Sequence, residues 1–166
     1  QKKILINNNQ KKYDNFFESA GPGCTFVFNR NSFQFLQKFL KKNWLTIYNE
    51  IKVHDWFIYF FMRTNNFKWY LDSAVVVNYR QHDLNELGAN LGFKGIFKRL
   101  NMLKNNLSKK HLKIFEELLP SNNKKFFFNY KKRYLFMLFF LLNFGQFRRK
   151  LIDNFYLYFL LIIGLV

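Results

Sequence analysis

The patterning of this chain predicts an α/β fold, and three observations carry that expectation. Cys24–Phe28 is a short apolar run, set off by Gly21-Pro22-Gly23 and Asn29, and it suits a buried strand. Trp69–Leu71 and then Ala74–Tyr79, with three consecutive valines, read as further strand. Around these runs, apolar residues recur at helical spacing: Phe33, Leu36 and Leu40 first, then Phe93, Phe97, Leu100, Leu103 and Leu107.

Taken in order, residues 1–20 read as a polar loop leading to the Gly-Pro-Gly turn. Asn29-Arg30-Asn31-Ser32 offers a helix cap, and Lys41–Lys52 is mixed and reads as irregular. A helix is expected from near His54, where Asp55 suits the positive end of the helix dipole. Its body, Trp56–Met62, is apolar on all sides and should be buried, with Asn65-Asn66 ending it. Arg80–Asn90 is polar with a Gly-Ala step, an ordered loop. Ser108 is placed to cap a further helix through Leu119, stopped by Pro120. The resulting division is residues 1–90 as one part and 91–166 as a basic, amphipathic helical region.

Composition narrows the function class. The 166 residues fit one domain or a piece of one, and an apolar share of 49% excludes disorder over most of the length. Phe occurs 24 times beside many Lys and Asn, which reads as coding bias, so Phe pairs are not taken as functional aromatic boxes. A net charge of +17 calls for an anionic partner: nucleic acid, an acidic membrane surface or a phosphorylated substrate. Twelve of the Lys and Arg residues lie between Leu91 and Tyr134, against only Glu116 and Glu117. The lone cysteine, Cys24, precludes an intrachain disulfide and reads as a small core residue. The opening residues do not read as the apolar core of a signal peptide. With no RRM-type aromatic motif and no Cys-x-x-Cys, a nucleic-acid partner is not expected.

Two apolar runs close the chain. Tyr134–Leu142 holds nine residues and Phe155–Val166 holds twelve, separated by Arg148, Arg149, Lys150 and Asp153. A spanning helix needs roughly 20 apolar residues. An interfacial or core-packed helix pair is the expectation.

The residues that carry chemistry fall in two groups. His54-Asp55-Trp56 sets a carboxylate beside an imidazole and an indole. Partial burial would raise the Asp55 pKa toward that of a general base, while a helix cap is its other reading. His54 either orients a substrate or packs, and Trp56 either offers an apolar face or fills the core. Tyr79-Arg80-Gln81-His82 follows the valine run, at the strand end where ligands collect in α/β sheets. There Arg80 can clamp a phosphate and His82 can bind a divalent metal, with Asn85 three residues on. His111, on a Lys-rich helix, reads as solvent-exposed.

Gly23-Cys24-Thr25-Phe26-Val27-Phe28-Asn29-Arg30, His54-Asp55-Trp56, Tyr79-Arg80-Gln81-His82 with Asn85, and Gly88-Ala89 together resemble the C-terminal half of family 2 glycosyltransferases. The closest group is the rhamnosyltransferase-like bacterial enzymes of surface polysaccharide synthesis. The resemblance runs from about Gly21 to Lys104. It implies a partial GT-A-type, Rossmann-like fold lacking its nucleotide-binding half, followed by a helical extension. It also implies inverting transfer from a nucleotide-sugar donor to a glycan or lipid-linked acceptor. By the same resemblance Asp55 is the general base, Arg80 and Gln81 lie at the donor diphosphate, and His82 serves a Mg or Mn ion. His54 and Trp56 are then placed on the acceptor side. Asp83-Leu84 departs from the small or polar residues usual after the histidine, and the chain contains no Asp-x-Asp.

The expected setting follows from charge and chemistry together. The chain should be peripheral to the anionic, cytoplasmic face of a bacterial inner membrane, where a lipid-linked acceptor would meet Asp55. Without the other half of the enzyme it should be inactive and poorly soluble. The competing class is a non-enzymatic basic module that binds anionic membrane or nucleic acid.

Overall fold

The computed structural model describes residues 9–72, 74, 107–118 and 124–164. Asn29 opens the first long helix, α1 (Arg30–Glu50), as the cap its sequence suggests: its side chain accepts the Ser32 amide at 2.9 Å. The helix does not stop at Leu40. It runs through the stretch expected to be irregular, bending at Asn43 (φ −117°, ψ 19°), whose side-chain amide donates to the Phe39 carbonyl at 3.0 Å. The apolar signal fades there because Leu36 and Ile47 are buried while most of the other side chains face solvent.

The second helix, α2 (His54–Thr64), keeps its expected bounds. It ends at Asn65, and Asn66 turns the chain away in the left-handed conformation at φ 62°. All but Ile58 of the Trp56–Met62 stretch are buried, making α2 the axis of the core. Downstream lie α3 (Leu107–Leu118), α4 (Lys124–Lys131), α5 (Arg133–Leu142) and α6 (Leu151–Ile162). The helix expected after Ser108 is there as α3, but it begins at Leu107, so Ser108 lies within its first turn and does not cap it. The helical reading of Phe93 to Leu103 lies outside the described residues.

The α/β expectation is overturned: among the described residues every regular element is helical and no strand forms. Gly23–Thr25 is a single 3-10 turn, closed by the Thr25 amide donating to Pro22 O at 2.9 Å, and Phe26 continues extended without a ladder partner. Trp69–Leu71 is irregular. The two segments meet through rings, with Phe26 and Phe28 edge-on to Trp69 at 4.9 and 6.1 Å. A five-residue apolar run looks the same whether it pairs in a sheet or packs by its side chains, and here side chains do the packing. The valine run of Ala74–Tyr79 lies outside the described residues except for Ala74, which sits in a bend. The Rossmann-like, GT-A-type architecture therefore has no counterpart in the described part of the chain.

What fills the core is phenylalanine. Phe16 stacks on Phe126 at 3.7 Å, Phe60 on Phe115 at 4.1 Å, and Phe140 on Phe147 at 4.3 Å, one contiguous cluster drawn from residues 16 to 161. The abundant Phe thus has a structural use beyond coding bias. The polar N-terminal stretch is also not a surface loop from Asp14 on. Asp14–Phe16 forms a 3-10 turn whose three residues are all buried against α2.

Between α5 and α6 the chain reverses through Gly145, at φ 84°. Buried Asn154 holds this turn by accepting the Phe147 and Arg148 amides at 3.3 and 3.0 Å. Its side-chain amide donates to the Arg148 and Lys150 carbonyls at 2.9 and 3.0 Å. The two helices form an antiparallel hairpin, with Lys109 donating to Gly164 O at 2.6 Å and Arg133 to Ile162 O. Both cations sit at the negative end of α6, where the helix dipole favours them.

Candidate functional site

The site builds outward from the first turn of α2. Val53 precedes the helix without a side-chain cap, so the amides at its start are left to Asp55 and to surrounding groups. Asp55 is half-buried, and its Oδ1 accepts the Trp56 amide at 2.7 Å. It therefore sits inside the first turn rather than at the cap. Among the described residues no cation lies within ion-pair distance of it. The exposed His54 ring stands next to it under a close ceiling. A Cβ added to Gly23 would lie 3.0 Å from His54 Nε2 and 3.4 Å from Asp55 Cβ. The Gly-Pro-Gly segment thus passes directly over the His54-Asp55 pair, and its last glycine is the residue that lets it come so near.

Trp56 is held from below. Its indole N–H donates to the Asn15 carbonyl at 2.9 Å, and its ring meets His111 and Phe115 edge-on at 5.2 and 5.3 Å. The indole is buried, and these contacts hold it against the first turn of α2. His111, expected in solvent, is instead fully buried. Its Nε2 accepts the Lys52 amide at 3.1 Å, and burial lowers its pKa to about 4, so the ring is neutral. The signal for its burial was present: His111, Ile114, Phe115 and Leu118 fall on one stripe, opposite Lys110, Lys113 and Glu117. Cys24, expected in the core, is exposed on the 3-10 turn.

A buried charge network ties this site to the rest of the molecule. Asp14 accepts from the Tyr59 hydroxyl at 3.0 Å and pairs with Arg63 at 3.1 Å, while Arg63 also donates to the Lys11 carbonyl at 3.0 Å. Burial, then the Asp14 charge, push the Tyr59 hydroxyl pKa far up, so it stays a donor. Further along, Glu18 faces Arg148 and Arg149 at 3.4 and 3.3 Å and accepts the Arg149 amide at 2.6 Å. Burial raises the Glu18 pKa against the pull of both guanidiniums. Residues 11–19 are in this way strapped between α2 and the α5–α6 turn, and that strap delivers Gly23 to His54. Nothing in the local sequence announces the buried partners of Asp14 and Asn15, which lie more than forty residues away, although Asp14 also accepts the Lys11 amide at 3.3 Å.

Arg80, Gln81 and His82 lie outside the described residues, as do Asn85 and Gly88-Ala89. Among the described residues, no group of three or more His, Cys, Asp or Glu side chains is placed to hold a metal ion. No helix among them is long and apolar enough to cross a membrane.

This geometry acquires context from comparison with known proteins. The chain is 37% identical over 158 residues to a protein named dTDP-rhamnosyl transferase RfbG from Shigella flexneri. The match covers 94% of this chain and 53% of that relative, so the chain spans about half the relative's length. No protein-family model matches the chain, and no solved structure does.

Proposed function

We propose that this chain is the acceptor-side portion of an inverting glycosyltransferase of the family 2 kind. It transfers a sugar from a nucleotide-sugar donor to a hydroxyl of a glycan or lipid-linked acceptor. The observation that carries the reading is the His54-Asp55 pair: a half-buried carboxylate at a helix start, with no cation partner among the described residues, under the close cover of Gly23. The similarity to the Shigella rhamnosyl transferase supports a glycosyl-transferring role and points to a dTDP-deoxysugar as the donor.

In this reading the acceptor hydroxyl approaches Asp55, whose Oδ1 is held by the Trp56 amide. As the hydroxyl oxygen bonds to the anomeric carbon, its proton passes to the carboxylate and the nucleoside diphosphate leaves with the electron pair of the broken bond. The Trp56 amide and the positive end of α2 hold the carboxylate in place. His54 orients the acceptor beside Asp55, and Trp56 supports the acceptor side by holding the turn in place. Arg80 and Gln81 bind the donor diphosphate, where cationic and hydrogen-bonding groups offset the charge that develops on the leaving group. A Mg or Mn ion near His82 belongs to the same reading, and no step here depends on it. The cytoplasmic face of a bacterial inner membrane is the location this chemistry favours.

The test is made in a full-length parent carrying both halves of the enzyme. Asp55→Asn should lower transfer on the order of a hundredfold or more while donor affinity, measured by calorimetry, stays within twofold. Transfer at near the parent rate would reduce Asp55 to a helix-start residue.

A further inference from the structure

The α5–α6 hairpin buries only one side of each helix. In α5, Phe136 and Phe140 face the core, while Tyr134, Leu135, Leu138, Leu141 and Leu142 form an exposed stripe at spacings of one, three and four. In α6, Asn154, Leu157 and Leu161 face inward, and a second stripe of large apolar side chains that includes Phe155 and Phe159 stands in solvent. Exposures run from 40% at Leu135 to 86% at Tyr134. Contiguous apolar surface of this kind marks an interaction site on a folded protein.

From this face we infer that the hairpin is a monotopic membrane anchor, lying in the plane of an anionic bilayer with both stripes in the headgroup–acyl boundary. Length decides against spanning. At 1.5 Å per residue, helices of 10 and 12 residues reach only about 15–18 Å against a hydrocarbon core of about 30 Å. Chemistry decides against a protein partner. A protein interface carries roughly one hydrogen bond per 100–200 Å². The stripes offer for that purpose only the hydroxyls of Tyr134 and Tyr156, whereas hydrocarbon needs no partners. Charge complementarity decides the lipid. Exposed Arg133 stands at one end of the hairpin and exposed Lys150 at the other, with Lys132 beside the first, while Lys131 is paired to Glu116 at 2.7 Å. The one acid on the two helices, Asp153, is paired to Arg148 at 3.6 Å. Cations at both ends of an apolar face match a surface of anionic headgroups over acyl chains.

The test is vesicle sedimentation of the whole chain, which requires no transfer reaction, so its failure leaves the role of Asp55 untouched. Binding should appear with phosphatidylglycerol–phosphatidylcholine vesicles, be weak with phosphatidylcholine alone, and decline as salt rises. Arg133→Gln with Lys150→Gln should lower partitioning roughly tenfold or more, at about 1 kcal/mol per cation. Leu138→Gln, Phe155→Gln and Phe159→Gln together should lower it at least as far, with helical circular dichroism retained because all three side chains are already exposed. Tyr156→Trp supplies a direct reading of depth. Its fluorescence should be quenched by lipids brominated near the headgroup end of the acyl chain. Absence of that quenching, or binding indifferent to lipid charge and salt, overturns the inference. So does a stable dimer that the triple glutamine variant dissociates, which would give the face to a second copy. Binding by this chain but not by a full-length parent would assign it to the parent's remaining segment.

Discussion

His111 Nε2 accepts the backbone N–H of Lys52 at 3.1 Å, across 59 residues of sequence and two residues before His54. This bond fixes the short connection between α1 and α2, and the same imidazole supports Trp56 edge-on. A residue on a basic downstream helix therefore sets where the candidate base begins its helix.

The first prediction concerns pH. Burial lowers the His111 pKa to about 4 from an ordinary 6.5. Above pH 6.5 the ring is neutral folded or unfolded, and it has no effect on the pH dependence. Between 6.5 and about 4 the unfolded chain takes up the proton and the folded one does not, so stability falls with pH by on the order of 3 kcal/mol. Glu18 has the opposite sign: its raised pKa favours the fold below its ordinary 4.5 and that contribution is lost as pH rises. His111→Gln keeps an acceptor for Lys52 and removes the titration. Urea midpoints for that variant should be flatter than the parent's between pH 6.5 and 4, and an unchanged slope would refute the assignment.

A second prediction addresses the cover over the site. Gly23→Ala places a methyl 3.0 Å from the His54 ring, a side chain free to swing because it is exposed. Stability should fall by less than about 1 kcal/mol. The His54 ring resonances should nonetheless shift in NMR spectra, and unmoved resonances would show that Gly23 does not confine the imidazole.

The buried ion pair of Asp14 and Arg63 gives a third. Asp14→Ala strands a guanidinium that is only 17% exposed and also removes the acceptor of Tyr59. The loss should be about 3–5 kcal/mol in chemical denaturation. Tyr59→Phe, which leaves the pair intact, should lose only about 1 kcal/mol. Equal effects would place the weight on the hydroxyl instead.

Trp56 provides the fourth. Trp56→Phe leaves the Asn15 carbonyl without its donor and should lower stability by about 1–2 kcal/mol. In a full-length parent, a rise in acceptor KM far larger than that energy explains would instead assign Trp56 to direct acceptor contact.

How far the sequence reached is clearest at α2. Its start near His54, its burial and its end at Asn65-Asn66 were all legible, because a dense apolar run between polar stops leaves one solution. The Asn29 cap and the helix after Ser108 were legible for the same local reason. The lengths of the two C-terminal apolar runs already placed them below a membrane span. The strand at Cys24–Phe28 was not decidable locally. Whether an extended apolar run joins a sheet depends on a partner strand, and here Trp69 offered a ring instead of a ladder. The same holds for Asp14, Asn15 and His111, each defined by a partner remote in the chain. Local pattern determined where helices begin and end and which chemistry-bearing residues share a motif. Only tertiary packing decided which buried polar groups hold those residues in place, because a hydrogen bond across the core exists only once the chain has brought its two ends together.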